Sequence, residues 1–292
     1  MTESPNLRGD SLSIVPSHHH TTIDIEDIRL FAIDLDGVVY RGSIVLPGAV
    51  SFISRIREMG KSLVFITNST LRPKHYYAAK LGSMGIFVSP NEIITAAHAT
   101  GRYLKGLFNG TSPSIFLLGE RGLEEELRDL RPRYLSPQDE EVAQAVVVGL
   151  DRKINYEKLC KAVRDVMEGA LFVGVNGDTL WPVEKGFLPG VGAFLSAIRE
   201  ATGVEPFIVG KPNTYMLELA IKSHGCAPSQ VLVIGDKLDS DIMMGRKAGA
   251  KTALVLSGVT SPEKLKRAPA DAKPHIVARD LAHLEELLFH SK

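Results

Sequence analysis

The chain has 292 residues, with 34 Lys and Arg against 34 Asp and Glu, so its formal net charge is zero. That balance excludes the overall basic surplus with which duplex nucleic-acid binders neutralise phosphates. A hydrophobic share of 44% excludes a disordered chain, and no apolar run reaches the roughly 18–20 residues of a membrane span.

Taken in order, residues 1–24 are polar, include His18-His19-His20, and lack the charged and apolar regions of a secretory signal. They read as a flexible tail. The body starts at Ile25. Residues 29–33 form a short apolar run ending in Asp34-Leu35-Asp36-Gly37, the pattern of a buried strand closed by a turn. Residues 47–59 have helical spacing at Val50, Ile53 and Ile56, and Gly60 stops them. A second strand, 63–66, ends in Thr67-Asn68-Ser69-Thr70, and a helix over 75–84 ends at Gly85.

The alternation continues with a strand at 114–119 and a helix at 122–130, whose Glu124-Glu125-Glu126 reads as a solvated face near the helix start. A strand at 145–149, a helix at 155–169 and a strand at 171–175 follow, the last ended by Asn176-Gly177-Asp178. The final third predicts a helix at 189–201, a strand at 206–209 ended by Gly210-Lys211-Pro212, and a helix at 215–222. Then come a strand at 231–234 ended by Gly235-Asp236, a helix at 241–248, a strand at 252–256 and a helix at 281–289. Strands alternating with helices predict an α/β protein with a doubly wound, Rossmann-like parallel sheet. Cys160 and Cys226 form neither a disulfide framework nor a metal-ligand spacing, which suits reduced thiols in a cytoplasmic protein.

Four of the predicted strand ends carry polar groups suited to chemistry: Asp34/Asp36, Thr67/Asn68, Lys211 and Asp236/Asp241. Open parallel sheets bind ligands beyond the carboxyl ends of their strands, so a doubly wound sheet gathers these groups at one rim. Asp34 and Asp36 share a face, and two converging carboxylates repel unless a cation or proton separates them. Hard oxygen ligands favour Mg²⁺, and Asp236 and Asp241 supply more of them. Lys211 offsets carboxylate charge and can hold a transferring phosphoryl group, while Thr67 and Asn68 offer a hydroxyl and an amide to phosphate oxygens. Read singly, Asp-x-Asp-Gly is equally an ordinary capped turn. Together the groups point to phosphoryl transfer through an aspartyl phosphate, with a second Asp as acid and base.

These residues resemble the haloacid dehalogenase superfamily. Asp34-Leu35-Asp36-Gly37-Val38-Val39-Tyr40 looks like its first motif, and Ile66-Thr67-Asn68-Ser69-Thr70 like its second. Gly210-Lys211-Pro212 looks like the third and residues 235–242 like the fourth. The wording, with Tyr40, Thr67-Asn68-Ser69 and Gly-Lys-Pro, resembles the NagD-like branch, which includes p-nitrophenyl, phosphoglycolate and pyridoxal phosphatases. Residues 149–152 and 156–159 resemble its cap sequence. The resemblance implies a catalytic core over 25–87 and 185–292, with a C2-type α/β cap inserted at 88–184. It implies a Mg²⁺-dependent phosphatase of small phosphate monoesters. Asp34 is then nucleophile and metal ligand, and Asp36 is acid/base and a metal ligand through its carbonyl. Asp236 is a metal ligand, and Asp241 supports the metal's waters or Lys211. Thr67, the Asn68 backbone and Lys211 hold the phosphate.

Two positions depart from the branch: Lys237, where many relatives carry Asn or Arg, and Leu71-Arg72-Pro73, where small polar residues are more usual. Asp178 either touches substrate or braces the return to the core. His75, His98, His224, His275 and His283 show no paired metal-ligand spacing and read as structural or surface residues, and Trp181 reads as packing. The partners expected are a small phosphate monoester, with no nucleic-acid polymer and no membrane, and a homodimer through the cap stays open. A phosphotransferase, a dehalogenase and a non-catalytic phosphate-binding protein are the competing readings. A signalling receiver domain accounts for neither the insert nor Asp36.

Overall fold

The computed structural model describes residues 23–183 and 186–289. The expected tail, apart from its last two residues, and the expected 184/185 boundary lie outside the described residues. The chain runs β1 (Leu30–Ile33), a hairpin of β2 (Tyr40–Arg41) and β3 (Ile44–Val45), α1 (Ala49–Glu58), β4 (Ser62–Thr67) and α2 (Lys74–Ser83). There follow β5 (Ile93–Thr95), α3 (Ala96–Phe108), β6 (Ser114–Leu118), α4 (Arg121–Glu126), β7 (Arg133–Tyr134), β8 (Ala145–Val148), α5 (Tyr156–Met167) and β9 (Leu171–Gly174). A second hairpin, β10 (Leu180–Val183) and β11 (Gly186–Pro189), leads to α6 (Val191–Thr202), β12 (Phe207–Ile208), α7 (Tyr215–His224) and β13 (Val231–Gly235). The chain closes with α8 (Met243–Lys247), β14 (Lys251–Val255), α9 (Pro262–Lys266), β15 (Ile276–Ala278) and α10 (Leu281–Phe289).

Two parallel sheets organise these elements. The first has six strands in the order β15-β14-β13-β1-β4-β5, and the second has five in the order β12-β9-β8-β6-β7. In the first, β1 lies between β13 and β4, where the strand order reverses. All four residues of β1 are buried, as expected of a central strand covered on both faces. Its side chains alternate between two cores: Phe31 and Ile33 join α1 and α10 on one side, and Leu30 and Ala32 join α3 and α7 on the other. That second core also takes Ile115, Ala145, Val147 and Val173 from the second sheet, so the two sheets share one apolar layer. The far face of the second sheet packs on α5 and α6 through Ala162, Val166, Leu195 and Ile198, and Trp181 packs against this layer.

Two short strands pair differently from the expected segments. β5 lies within 88–184 yet pairs with β4 in the first sheet. β12 lies outside it yet pairs with β9 in the second. Lys211 therefore leaves the second sheet, not a fourth strand end of the first. The helix expected over 122–130 is α4 followed by a tight turn at Arg128–Leu130. The one expected over 241–248 begins as a wide π-type turn, Leu238–Ile242, before α8.

Candidate active site

Parallel register sets the geometry of the rim. Ile33 lies level with Ile234 on one side and Phe65 on the other, so Asp34, one residue on, reaches the ends of β13 and β4 together. The Asp34 N–H donates to Ile234 O at 2.9 Å, which fixes the backbone at that point. Asp34, Asp236 and Asp241 are all buried and bring carboxylate oxygens within 4.8 Å of one another.

Lys211 holds this cluster. It is 4% exposed and donates from Nζ to Asp34 Oδ1 at 2.7 Å, Asp241 Oδ1 at 2.6 Å and Ile66 O at 3.1 Å, which uses all three of its donors. Burial alone would lower its pKa, but Asp241 and Asp34 overcome this and raise it, so the ammonium stays charged. The carboxylates bear the opposite strain. Burial, with the charges of Asp241 and Asp236 against the pull of Lys211, pushes Asp34 up to about 8. Burial and Asp241 push Asp236 up to about 6. Three buried carboxylates face the buried ammonium of Lys211, with the half-buried Lys237 a second cation beside them, and negative charge remains in excess.

Asp236 sits in a backbone slot. Its Oδ2 accepts the Val259 N–H at 2.7 Å, while its buried Oδ1 has no partner among the described residues. Gly37 (φ +82°) and Gly258 form the walls, and a Cβ on Gly37 would lie 2.5 Å from Asp236 Oδ2. Asp241 Oδ2 accepts the Lys237 N–H at 3.1 Å, so the wide turn brings it back onto the strand end.

Asp36 is exposed, outside the buried cluster, and desolvation by its surroundings raises its pKa against the pull of Lys80, Lys237 and Lys211. Its turn is tied by Gly37 N–H to Tyr40 O at 2.8 Å and Tyr40 N–H to Leu35 O at 3.2 Å. The backbone N–H groups of Leu35, Asp36 and Asn68 have no acceptor among the described residues. Thr67 is buried, and its Oγ1 accepts the Ser69 N–H at 3.3 Å.

The Asn68 side chain is occupied otherwise than expected. Its Oδ1 accepts the Lys211 N–H at 2.8 Å, and its Nδ2 donates to Lys211 O and Asp178 Oδ2, both at 3.2 Å. Its amide thus positions Lys211, leaving only its backbone N–H for an anion. Asp178 braces the two sheets through this bond, and Asn176 adds another by donating to Asn68 O at 2.7 Å. Arg72 is exposed and stacks over Tyr76 at 5.1 Å. Glu126 departs from the solvated face expected of the acidic run. It accepts the Lys74 N–H at 2.8 Å and bonds His98 Nδ1 at 3.1 Å. Burial would raise its pKa, but these bonds hold it low.

A parallel-sheet hydrolase with an Asp-x-Asp loop, a buried Lys and a carboxylate cluster at the strand ends is the class these features define. Residues 31–131 match the family model described as haloacid dehalogenase-like hydrolase, and residues 208–284 match the HAD-hydrolase-like model. The chain is 35% identical over 243 residues to an acid sugar phosphatase of Staphylococcus saprophyticus, covering 83% of this chain and 92% of that protein. It superposes on a 4-nitrophenylphosphatase of Thermotoga maritima with a TM-score of 0.83 at 30% identity, covering 93% and 100% of the two chains. It also superposes on a glycerol phosphate phosphatase of Mycobacterium tuberculosis solved in complex with magnesium, with a TM-score of 0.81 at 30% identity over 89% and 78%. The chain belongs to the haloacid dehalogenase-like hydrolases. Within them it falls in the NagD-like branch of phosphoric monoester hydrolases.

Proposed function

We propose that this protein hydrolyses small phosphate monoesters, of the sugar phosphate, phosphoglycolate, nucleotide or p-nitrophenyl phosphate type, through a phosphorylated Asp34. The observation that carries the reading is the ammonium of Lys211 held between Asp34 and Asp241, with Asp236 beside them and Asp36 two residues along the same loop. The carboxylate of Asp34 attacks phosphorus, and the bond from phosphorus to the ester oxygen breaks. Asp36 gives its proton to that leaving oxygen, releasing the alcohol. Asp36, now a carboxylate, takes a proton from water, whose oxygen attacks the phosphoryl group and releases phosphate and Asp34. Thr67, the Asn68 N–H and the N–H groups of Leu35 and Asp36 suit the phosphoryl oxygens.

The donor set fits a hard divalent cation. Clustered carboxylates, an excess of negative charge and the orphaned Oδ1 of Asp236 are what Mg²⁺ binding would satisfy. Asp34, Asp236, Asp241 and the Asp36 carbonyl would hold it or its waters. When bound, it supplies positive charge that lets a phosphate approach the carboxylates. The second sheet, running from Ser114 to Ile208 and braced at Asp178 and Asn176, serves in this reading as a cap over the leaving group. The free thiols of Cys160 and Cys226 suit a cytoplasmic setting. The test is phosphate release from a panel of such monoesters, with Mg²⁺ and with EDTA. Turnover that needs Mg²⁺ and vanishes in Asp34→Asn is expected. Near-full turnover by Asp34→Asn would refute the nucleophile, and turnover indifferent to EDTA would refute the metal.

A further inference from the structure

Helix α2 touches both of the loops that carry the chemistry. Tyr77 donates its hydroxyl to Ser69 Oγ, beside Thr67 and Asn68. Three residues on, and therefore on the same helix face, Lys80 sets its Nζ 3.5 Å from the centroid of the Tyr40 ring. Tyr40 is fully buried, and its hydroxyl has no hydrogen-bond partner among the described residues but lies on the side of Asp36. A cation this close to a ring face is attracted by the ring quadrupole. Lys80 Nζ forms no ion pair or hydrogen bond among the described residues; its charge lies over the ring and also acts on Asp36. The Tyr40 backbone in turn closes the turn that carries Asp36, through its bonds to Gly37 and Leu35.

We propose that Lys80 is a positioning residue: by clamping the Tyr40 ring it fixes the 35–40 turn and with it the place of Asp36. The inference rests on the reading of Asp36 as the acid of the reaction. The same turn presents the Leu35 and Asp36 N–H groups to a phosphate, so the loss of Lys80 should act on every substrate and most strongly where proton delivery matters. An alkyl phosphate leaves as a strong base and needs the proton, whereas p-nitrophenolate leaves almost unaided.

The experiment compares kcat/KM for glycerol phosphate and p-nitrophenyl phosphate in wild type, Lys80→Met, Lys80→Arg and Asp36→Asn, with circular dichroism to verify folding. In Lys80→Met the value for glycerol phosphate should fall by about tenfold or more and that for p-nitrophenyl phosphate by less than about threefold. Lys80→Arg, which keeps a cation over the ring, should restore the glycerol phosphate value. Asp36→Asn should show the same selective loss in larger measure. Equal losses on both substrates, no loss, or no rescue by Arg would overturn the role of Lys80. If Asp36→Asn itself shows no selective loss, the reading of Asp36 fails. If it does and Lys80→Met does not, only the present inference fails.

Discussion

Two buried lysines among the described residues stand beside carboxylates, and they do opposite things. In the second sheet's outer layer, Lys161 and Asp165 are one helical turn apart and both side chains are wholly buried. Lys161 Nζ donates to the two oxygens of Asp165 at 2.6 and 2.5 Å and to Glu141 O at 2.6 Å, and Asp165 also accepts the Ala143 N–H. One buried cation meets one buried anion, with the half-exposed Arg164 guanidinium 3.7 Å from Asp165 at the edge, and the pair pins the 141–143 segment to α5. At the rim of the first sheet, Lys211 bonds Asp34 and Asp241 with Asp236 beside them, Lys237 is the one further cation acting on Asp236 apart from Lys211, and one oxygen of Asp236 has no partner among the described residues. A balanced buried pair is complete as it stands. An unbalanced cluster, held in place by glycine walls that admit no side chain, is built to take a further cation. Two sites of similar composition thus differ in charge count, and that difference separates a structural bond from a reaction centre.

The largest effect should come from the unbalanced site. Asp34→Asn should lower p-nitrophenyl phosphate turnover by at least about 10³-fold, because it removes the nucleophile, with circular dichroism unchanged. Lys161→Met should break the comparison in the other direction. It strands a buried carboxylate and should cost about 3–5 kcal/mol of stability, read in urea unfolding, while turnover per folded molecule stays at the wild-type value. Turnover lost in parallel with stability would mean that the balanced pair is not merely structural.

A smaller effect concerns pH. Asp34 and Asp236 titrate near about 8 and 6 in the folded, metal-free protein, above the value of about 3.9 for an unfolded Asp. Between these values the unfolded chain has released protons that the folded chain still holds. The stability these groups contribute is complete below about pH 4 and is lost as pH rises through about 6 and then 8. In EDTA the melting temperature should therefore fall across this range, and saturating Mg²⁺ should recover most at its upper end. A melting temperature in EDTA that rises toward pH 8 would contradict the burial of unneutralised charge.

Much of this contrast was legible in the sequence. Asp34, Asp36, Thr67, Lys211, Asp236 and Asp241 lie just past short apolar runs, and turn residues mark those ends locally. Partner choice is not local. β12 is two residues long, and its apolar run does not say which sheet it joins, so from sequence Lys211 reads as the end of a core strand. The Asn68 amide looked free for phosphate because its partners, Lys211 and Asp178, are over 100 residues away. Nothing near Glu126 in the sequence shows that Lys74 and His98 meet it, so its acidic run reads as solvated. Lys80 left no signal at all, because a lysine on a helix usually faces water, and only the placement of the Tyr40 ring gives it a task.

The central claim is that the Lys211 cluster is short of positive charge, and Mg²⁺ binding without substrate tests it most directly. Thermal unfolding near pH 8, with and without saturating Mg²⁺, is compared for wild type, Asp236→Asn and Lys161→Met. Wild type and Lys161→Met should each gain about 5 °C or more from the metal, as expected of a ligand well above its Kd. Asp236→Asn should gain little. A wild-type protein indifferent to Mg²⁺, or an Asp236→Asn variant stabilised as much as wild type, would contradict the claim.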